Sequence, residues 1–221
     1  MLVEMDEISK SFFSGWTRMY ALYEVTLDIE RGEFVTLTGP SGCGKSTLLH
    51  IIGCLDRPTS GMYRLDGHEV QNLSRTAMAK IRGKKLGFLF QRPNLIPHMT
   101  ILQNVELPLI YRGVPSYERD DMILRVLDKV GLSARMSHRP WQLSAGQQQK
   151  AALARALVGR PEILITDEPT GDLDTRAGDE IIELLVAANR SETTVVMATH
   201  DADMAELGHR TIRLVDGRIV E

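Results

Sequence analysis

Chemistry is most legible in Gly39-Pro40-Ser41-Gly42-Cys43-Gly44-Lys45-Ser46-Thr47, which lies between an apolar run and a helix-compatible one. Closely spaced glycines let backbone wrap around phosphate oxygens, while loop N–H groups and a following helix N-terminus supply positive potential. Lys45 adds a mobile charge, and the Ser46 hydroxyl is placed to bind Mg²⁺. Cys43 occupies a variable position where a small side chain fits, and it needs no redox role. A glycine-rich turn that only caps a helix uses the same residue types, but the full spacing in this context favours a phosphate site.

A second candidate is Ile163-Leu164-Ile165-Thr166-Asp167-Glu168, an apolar run ending in two carboxylates. Charge belongs at such an exit, where a parallel sheet opens to a crevice. Asp167 would hold Mg²⁺ directly or through water, and Glu168 could polarise an attacking water as general base. Taken alone, the same residues read equally well as a strand ending in solvated acids.

These groups need elements to position them. Phe34 to Thr38, Leu86 to Phe90, Ile163 to Thr166 and Thr194 to Thr199 read as buried strands, with helical patterns such as Thr47 to Ile52 and Asp179 to Ala188 between them. That alternation predicts a mostly parallel sheet covered by helices, and together with the phosphate-loop spacing it gives an α/β core of the phosphate-loop NTPase kind. Val3 to Ile8, Tyr23 to Ile29 and Met62 to Leu65 alternate like half-exposed antiparallel strands and predict an N-terminal β subdomain. Near the other end, Asp216-Gly217 between Thr211 to Val215 and Arg218 to Val220 predicts a tight hairpin. The middle has helical signals and no strand. Met122, Ile123, Val126, Leu127 and Val130 share a helical face, Ser116 is placed to cap its start and Gly131 to end it. The chain therefore reads as a single domain, with a core of about 1–93 and 144–221 and an inserted helical subdomain of about 94–143.

Composition limits the alternatives. With 43% hydrophobic and 25% charged residues and a formal charge of -3, the chain has the make-up of an ordinary globular protein, and no nucleic acid is expected as its main partner. Two cysteines, Cys43 and Cys54, cannot make a zinc site by themselves, and they fit reduced thiols of the cytosol. No secretory signal is expected from the first residues, and no run approaches the ~18 to 20 apolar residues of a membrane helix, so a membrane role would come from a partner.

In order, the chain supplies the phosphate loop, Gln91, Leu143-Ser144-Ala145-Gly146-Gln147, Asp167-Glu168, Gly171-Asp172-Leu173-Asp174 and His200. This ordered set resembles that of the ABC ATPases over essentially the whole chain. The resemblance implies ATP and Mg²⁺ as cofactors, with Gln91 sensing the γ-phosphate through the metal and His200 contacting that phosphate and orienting Glu168. It also implies that Ser144, Ala145, Gly146 and Gln147 meet the nucleotide of a second copy, with Asp174 coupling the two sites, so that a homodimer forms in the ATP-bound state. Independently, Ser144 and Gln147 fit a capping box ahead of a helix over Gln148 to Val158. The family usually has glycine at position 145; alanine there would be strained if the backbone needs positive φ. Lys150 replaces the arginine usual after this segment. By the same resemblance Phe12 stacks on adenine, with Phe13 as the alternative and Tyr20 and Tyr23 weaker candidates; packing of the phenylalanines in the core is the competing reading.

The segments Gly53 to Gly61, Phe90 to Leu95 and Glu168 to Asp174 resemble the lipoprotein-releasing and macrolide-efflux branch. That implies an integral membrane subunit docking near Gln91 and the helical subdomain, and a peripheral location on the inner face of the cell membrane. An ABC complex that regulates or transmits force without transport is the alternative. A soluble ribosome- or nucleic-acid-associated ATPase would be expected to show two cassettes, a coiled-coil insertion or zinc cysteines, none of which is visible.

Overall fold

A computed structural model of the protein describes residues 1–220. Along the chain run β1 (Val3–Ser14), β2 (Thr17–Ile29), β3 (Phe34–Thr38), α1 (Lys45–Ile52), β4 (Ser60–Leu65), β5 (His68–Glu69), α2 (Arg75–Lys85), β6 (Leu86–Phe90), α3 (Ile101–Tyr111), α4 (Ser116–Lys129), α5 (Ala145–Leu157), β7 (Ile163–Asp167), α6 (Thr175–Arg190), β8 (Thr194–Ala198), α7 (Ala202–Ala205), β9 (Arg210–Val215) and β10 (Arg218–Ile219). They form two compact units, one of residues 1–82 with the chain from Thr194 onward, the other of residues 83–193.

The first unit holds an antiparallel sheet ordered β2-β1-β4-β5, in which Val3 faces both Ile29 and Leu65. It also holds β3, paired in parallel with β8 on one side and β9 on the other. Phe34, Val35, Thr36 and Leu37 of β3 are all buried, as is every residue of β8, which is why these strands read as continuous apolar runs rather than alternating ones. Of the two polar exceptions, Thr36 satisfies its hydroxyl on the Ala205 carbonyl at 2.9 Å and the Thr211 hydroxyl at 3.0 Å, and Thr194 accepts from the Gly32 N–H at 2.9 Å. Asp216 and Gly217 join β9 to β10 with φ of 48° and 76°, as the hairpin signal predicts.

In the second unit β6 and β7 pair in parallel, Leu86 opposite Ile163 and Phe90 opposite Asp167. Its apolar core joins Ile101, Val105 and Leu109 of α3 to Ile123 and Leu127 of α4 and to Ala151 and Ala154 of α5. The regular elements between positions 94 and 143 are all helical, including short 3₁₀ turns at Ser133–Arg135 and Pro140–Gln142. Thr100 and Gln103 close a reciprocal cap on α3. Ser116 does not cap α4. Pro115, whose ring fixes φ near the helical value while ψ stays extended at 145°, takes the cap position without a side-chain bond and leaves Ser116 as the first helical residue. Gly131 ends that helix at φ 71°. α2 was not visible in the sequence pattern because Met78 is its single buried residue, so it carries no apolar stripe.

Among the described residues no helix is long and apolar enough to cross a membrane. The packing just described sets two magnitudes. Leu127→Ala should lower unfolding free energy by about 2–5 kcal/mol through a cavity in a fully buried position. Thr100→Ala should cost about 1 kcal/mol through loss of its cap. Urea unfolding of both variants checks the ranking.

Candidate functional site

In the first unit the phosphate-loop segment leaves β3 and opens α1. Gly39 has φ 142°, and a Cβ there would sit 2.0 Å from the Leu214 carbonyl oxygen; Gly44 has φ 110°, with a Cβ 2.4 Å from that of Ala21. Both positions exclude side chains by conformation and by close backbone approach. The Gly217 N–H donates to the Cys43 carbonyl at 2.9 Å and the Tyr23 N–H to the Gly217 carbonyl at 2.8 Å, tying the loop to the hairpin turn and β2. Cys43 is a buried free thiol, in keeping with the packing role read from sequence.

Lys45 begins α1, and its ammonium donates to the carbonyls of Gly39 at 2.7 Å and Pro40 at 3.1 Å. The charge is thereby folded over its own loop. Unlike α3, α5 and α6, α1 starts without a side-chain cap, and like them it has no acid in its first turn, so its positive end suits an anion. Ser46 is the second helical residue. In the same unit His200 is exposed just beyond β8, between Thr199 and the Asp201 cap of α7.

The second unit carries the other candidates. Asp167 ends β7, and Glu168 follows at φ 46°, a left-handed conformation uncommon for a glutamate. Gln91, just past β6, donates its Nε2 to Asp172 Oδ1 at 3.0 Å. That bond engages the N–H side of the amide and leaves Oε1 as its acceptor atom. Ser144 and Gln147 form the expected reciprocal cap at the start of α5, and Asp174 caps α6 by accepting from the Ala177 N–H at 3.0 Å. These two helix starts meet closely, because a Cβ on Gly146 would lie 2.8 Å from that of Ala177. Lys150 of α5 donates to Glu180 of α6 at 2.6 Å, and this bond holds the Glu180 carboxyl below its usual pKa.

Three sequence questions are resolved. Ala145 is the first residue of α5 and is not among the positive-φ residues, so no strain follows from the missing glycine. Lys150 keeps an acidic partner despite replacing arginine. Phe12 and Phe13 are 50% and 72% exposed at the end of β1, which removes the core-packing reading. Gln149 and Arg155 of α5, which bond to the backbone around Gln91, were missed, and Asp172 was named within its motif but given no role. For Gln149 a signal existed: it is a polar residue one turn before the buried Leu153 on the same helical face.

The chain matches the ABC transporter family over residues 22–171. It belongs to that family. An ABC transporter ATP-binding protein of Thermotoga maritima is 46% identical over 218 residues, covering 99% of this chain and 93% of the relative. The macrolide export ATP-binding/permease protein MacB 1/2 of Paracoccus denitrificans is 47% identical over 219 residues, 99% of this chain, which spans only 33% of that longer protein. A dimeric structure of the ATP-binding cassette MJ0796, in a post-hydrolysis state bound to ADP and Pi, superposes with a TM-score of 0.92 at 44% identity, covering 99% of this chain and 97% of that one. The chain thus has the ABC ATPase fold and is the nucleotide-binding ATPase component of the family, in keeping with the macrolide-efflux and lipoprotein-releasing branch.

Ser46, Gln91 and Asp167 each carry a hard oxygen donor of the kind that suits Mg²⁺. At the second unit's helix starts, Gly146→Ala should lower the thermal midpoint although alanine ordinarily favours a helix by about 1 kcal/mol over glycine. Adding Ala177→Gly should bring the midpoint part of the way back. Differential scanning fluorimetry of the two single variants and the double variant reads this non-additivity.

Proposed function

We propose that two copies of the chain close around two ATP molecules, each bound by the phosphate loop of one copy and the Ser144-Ala145-Gly146-Gln147 turn of the other. The observation that carries this reading is that the chain offers two anion-attracting helix starts, the uncapped α1 and the glycine-bearing α5, and one γ-phosphate needs only one of them from each copy. Ser144 accepts a hydrogen bond within its cap and keeps its own hydroxyl hydrogen to donate outward. The dimeric MJ0796 cassette supports such an assembly.

In this mechanism the loop N–H groups of Gly39 to Thr47 and the Lys45 ammonium hold the phosphates. Ser46, Asp167 and Gln91 would hold Mg²⁺, which when bound neutralises charge on the phosphate oxygens. Glu168 accepts the proton of a water aligned for in-line attack on the γ-phosphorus, and His200 contacts the γ-phosphate and orients Glu168. Ser144 and the Gly146 N–H stabilise the developing charge on the partner's nucleotide. Asp174 links the two sites, and Phe12, already exposed, stacks on adenine.

A membrane subunit docks near Gln91 and the helical segment of about 94–143, which places the protein on the inner face of the cell membrane. The permease named in the MacB relatives supports that kind of partner, joined in them to the ATPase in one longer chain. The work performed is export or mechanical transmission across the bilayer, and copurification from membranes identifies the spanning subunit.

Glu168→Gln tests the reading. It should bind ATP, slow hydrolysis by about 10²-fold or more, and elute as a dimer in ATP during size-exclusion chromatography. Full turnover in this variant, or a monomer that hydrolyses ATP at the rate of the assembly, refutes it. The Asp172 bond gives a second check. Asp172→Ala should raise the Mg²⁺ concentration for half-maximal activity by about tenfold, since groups that orient a metal ligand weigh at about that level. Asp172→Asn, which retains an acceptor, should stay near the parent protein in the same magnesium titration.

A further inference from the structure

Helix α5 grips the loop around Gln91 from both sides. Gln149 donates from Nε2 to the Phe90 carbonyl and to the Pro169 carbonyl, each at 2.8 Å. Phe90 immediately precedes Gln91, and Pro169 immediately follows Glu168. Farther along the same helix Arg155 donates to the carbonyls of Pro93 at 2.8 Å and Asn94 at 2.7 Å. One buried amide therefore uses both of its N–H hydrogens to join the two segments on which Gln91 and Glu168 are carried.

Its remaining polar atom is telling. Gln149 Oε1 is buried and has no hydrogen-bond partner among the described residues. Burying an amide works against stability, and an apolar side chain of similar volume would fill the same space without that cost. The two donated bonds give the buried amide something to do that an apolar side chain cannot. Ser144, at the mouth of α5, precedes Gln149 by five residues (149 − 144) on one rigid helical segment, so a displacement of that turn is carried along the helix to both carbonyls.

We propose that Gln149 is a positioning residue, which fixes the spacing between the Gln91 and Glu168 segments and makes both follow the movement of α5. Gln149 does not touch the nucleotide. The inference rests on the roles assigned above to Gln91, Glu168 and the Ser144 turn.

The test replaces Gln149 with methionine, which has similar length and volume but no N–H donor, and compares it with Leu153→Ala. Leu153 is buried one turn farther along α5, and its truncation loosens the helix without removing a bond to either carbonyl. Gln149→Met should lower kcat by about 10- to 100-fold, the scale at which small misplacements of reacting groups act. Its KM for ATP should remain within about twofold, because the phosphate-binding groups are untouched. Leu153→Ala should show the larger fall in thermal midpoint, with kcat near that of the parent well below that midpoint. A parental kcat in Gln149→Met overturns the proposal, as does an equal loss of kcat in Leu153→Ala. ATP-dependent dimerisation of Glu168→Gln with and without Gln149→Met separates the two levels: retention of the dimer is expected in both. Failure of Glu168→Gln alone to dimerise counts against the shared site, while the kcat comparison still decides the role of Gln149.

Discussion

The structure depends first on a close approach of backbones. Gly39 lies against the Leu214 carbonyl and Gly44 against that of Ala21, nearer than any side chain permits. The loop between them is shaped from outside, by β2 and the end of β9, rather than by its own flexible sequence. Bonds through Gly217 lock that frame, so the loop's N–H groups are set before any ligand arrives. Preorganisation of this kind removes ordering entropy from the binding step. It also accounts for β2, which looks remote from chemistry and yet forms one wall of the phosphate cradle through Ala21 and Leu22.

The second unit is organised by α5. Its buried alanines and Leu153 face the core, Gly87 lets it settle onto β6, and Gln149 and Arg155 reach the backbone of the Gln91 loop. Its first turn packs on α6 through Gly146 and Ala177. Of the two links between these helices, the steric one carries more weight. The Lys150–Glu180 pair is partly open to solvent, where an ion pair contributes little, whereas a rigid contact between a Cα and a methyl group tolerates no displacement. The substitution of lysine for arginine is accordingly absorbed without loss of the partner.

Legibility in the sequence followed physical cause. β3, β7 and β8 were found because burial on both faces writes an unbroken apolar run, and the Asp216-Gly217 turn because few pairs accept positive φ twice. The site segments were found because phosphate and metal chemistry demand particular residue types at fixed spacing. α2 was hidden by its lack of an apolar face. The partners of Gln149, Arg155 and Asp172 were hidden for a different reason: each residue acts on carbonyls or an amide distant in sequence, and the pairing exists only after the chain has folded. Phe12 shows the limit from the other side, since an aromatic residue in a strand looks the same in sequence whether it faces core or solvent.

Glu168 is one of nine non-glycine residues at positive φ among those described, and the one to which the proposed mechanism gives the proton-accepting role. A left-handed glutamate costs on the order of 1 kcal/mol or more relative to glycine in the same place. Glycine there would relax the turn after β7 while removing the carboxylate proposed to accept the proton of water. The position therefore marks a tension between durability and turnover. Searches for more heat-resistant versions of this chain by relieving its unfavourable torsions would arrive early at the one side chain they must leave alone.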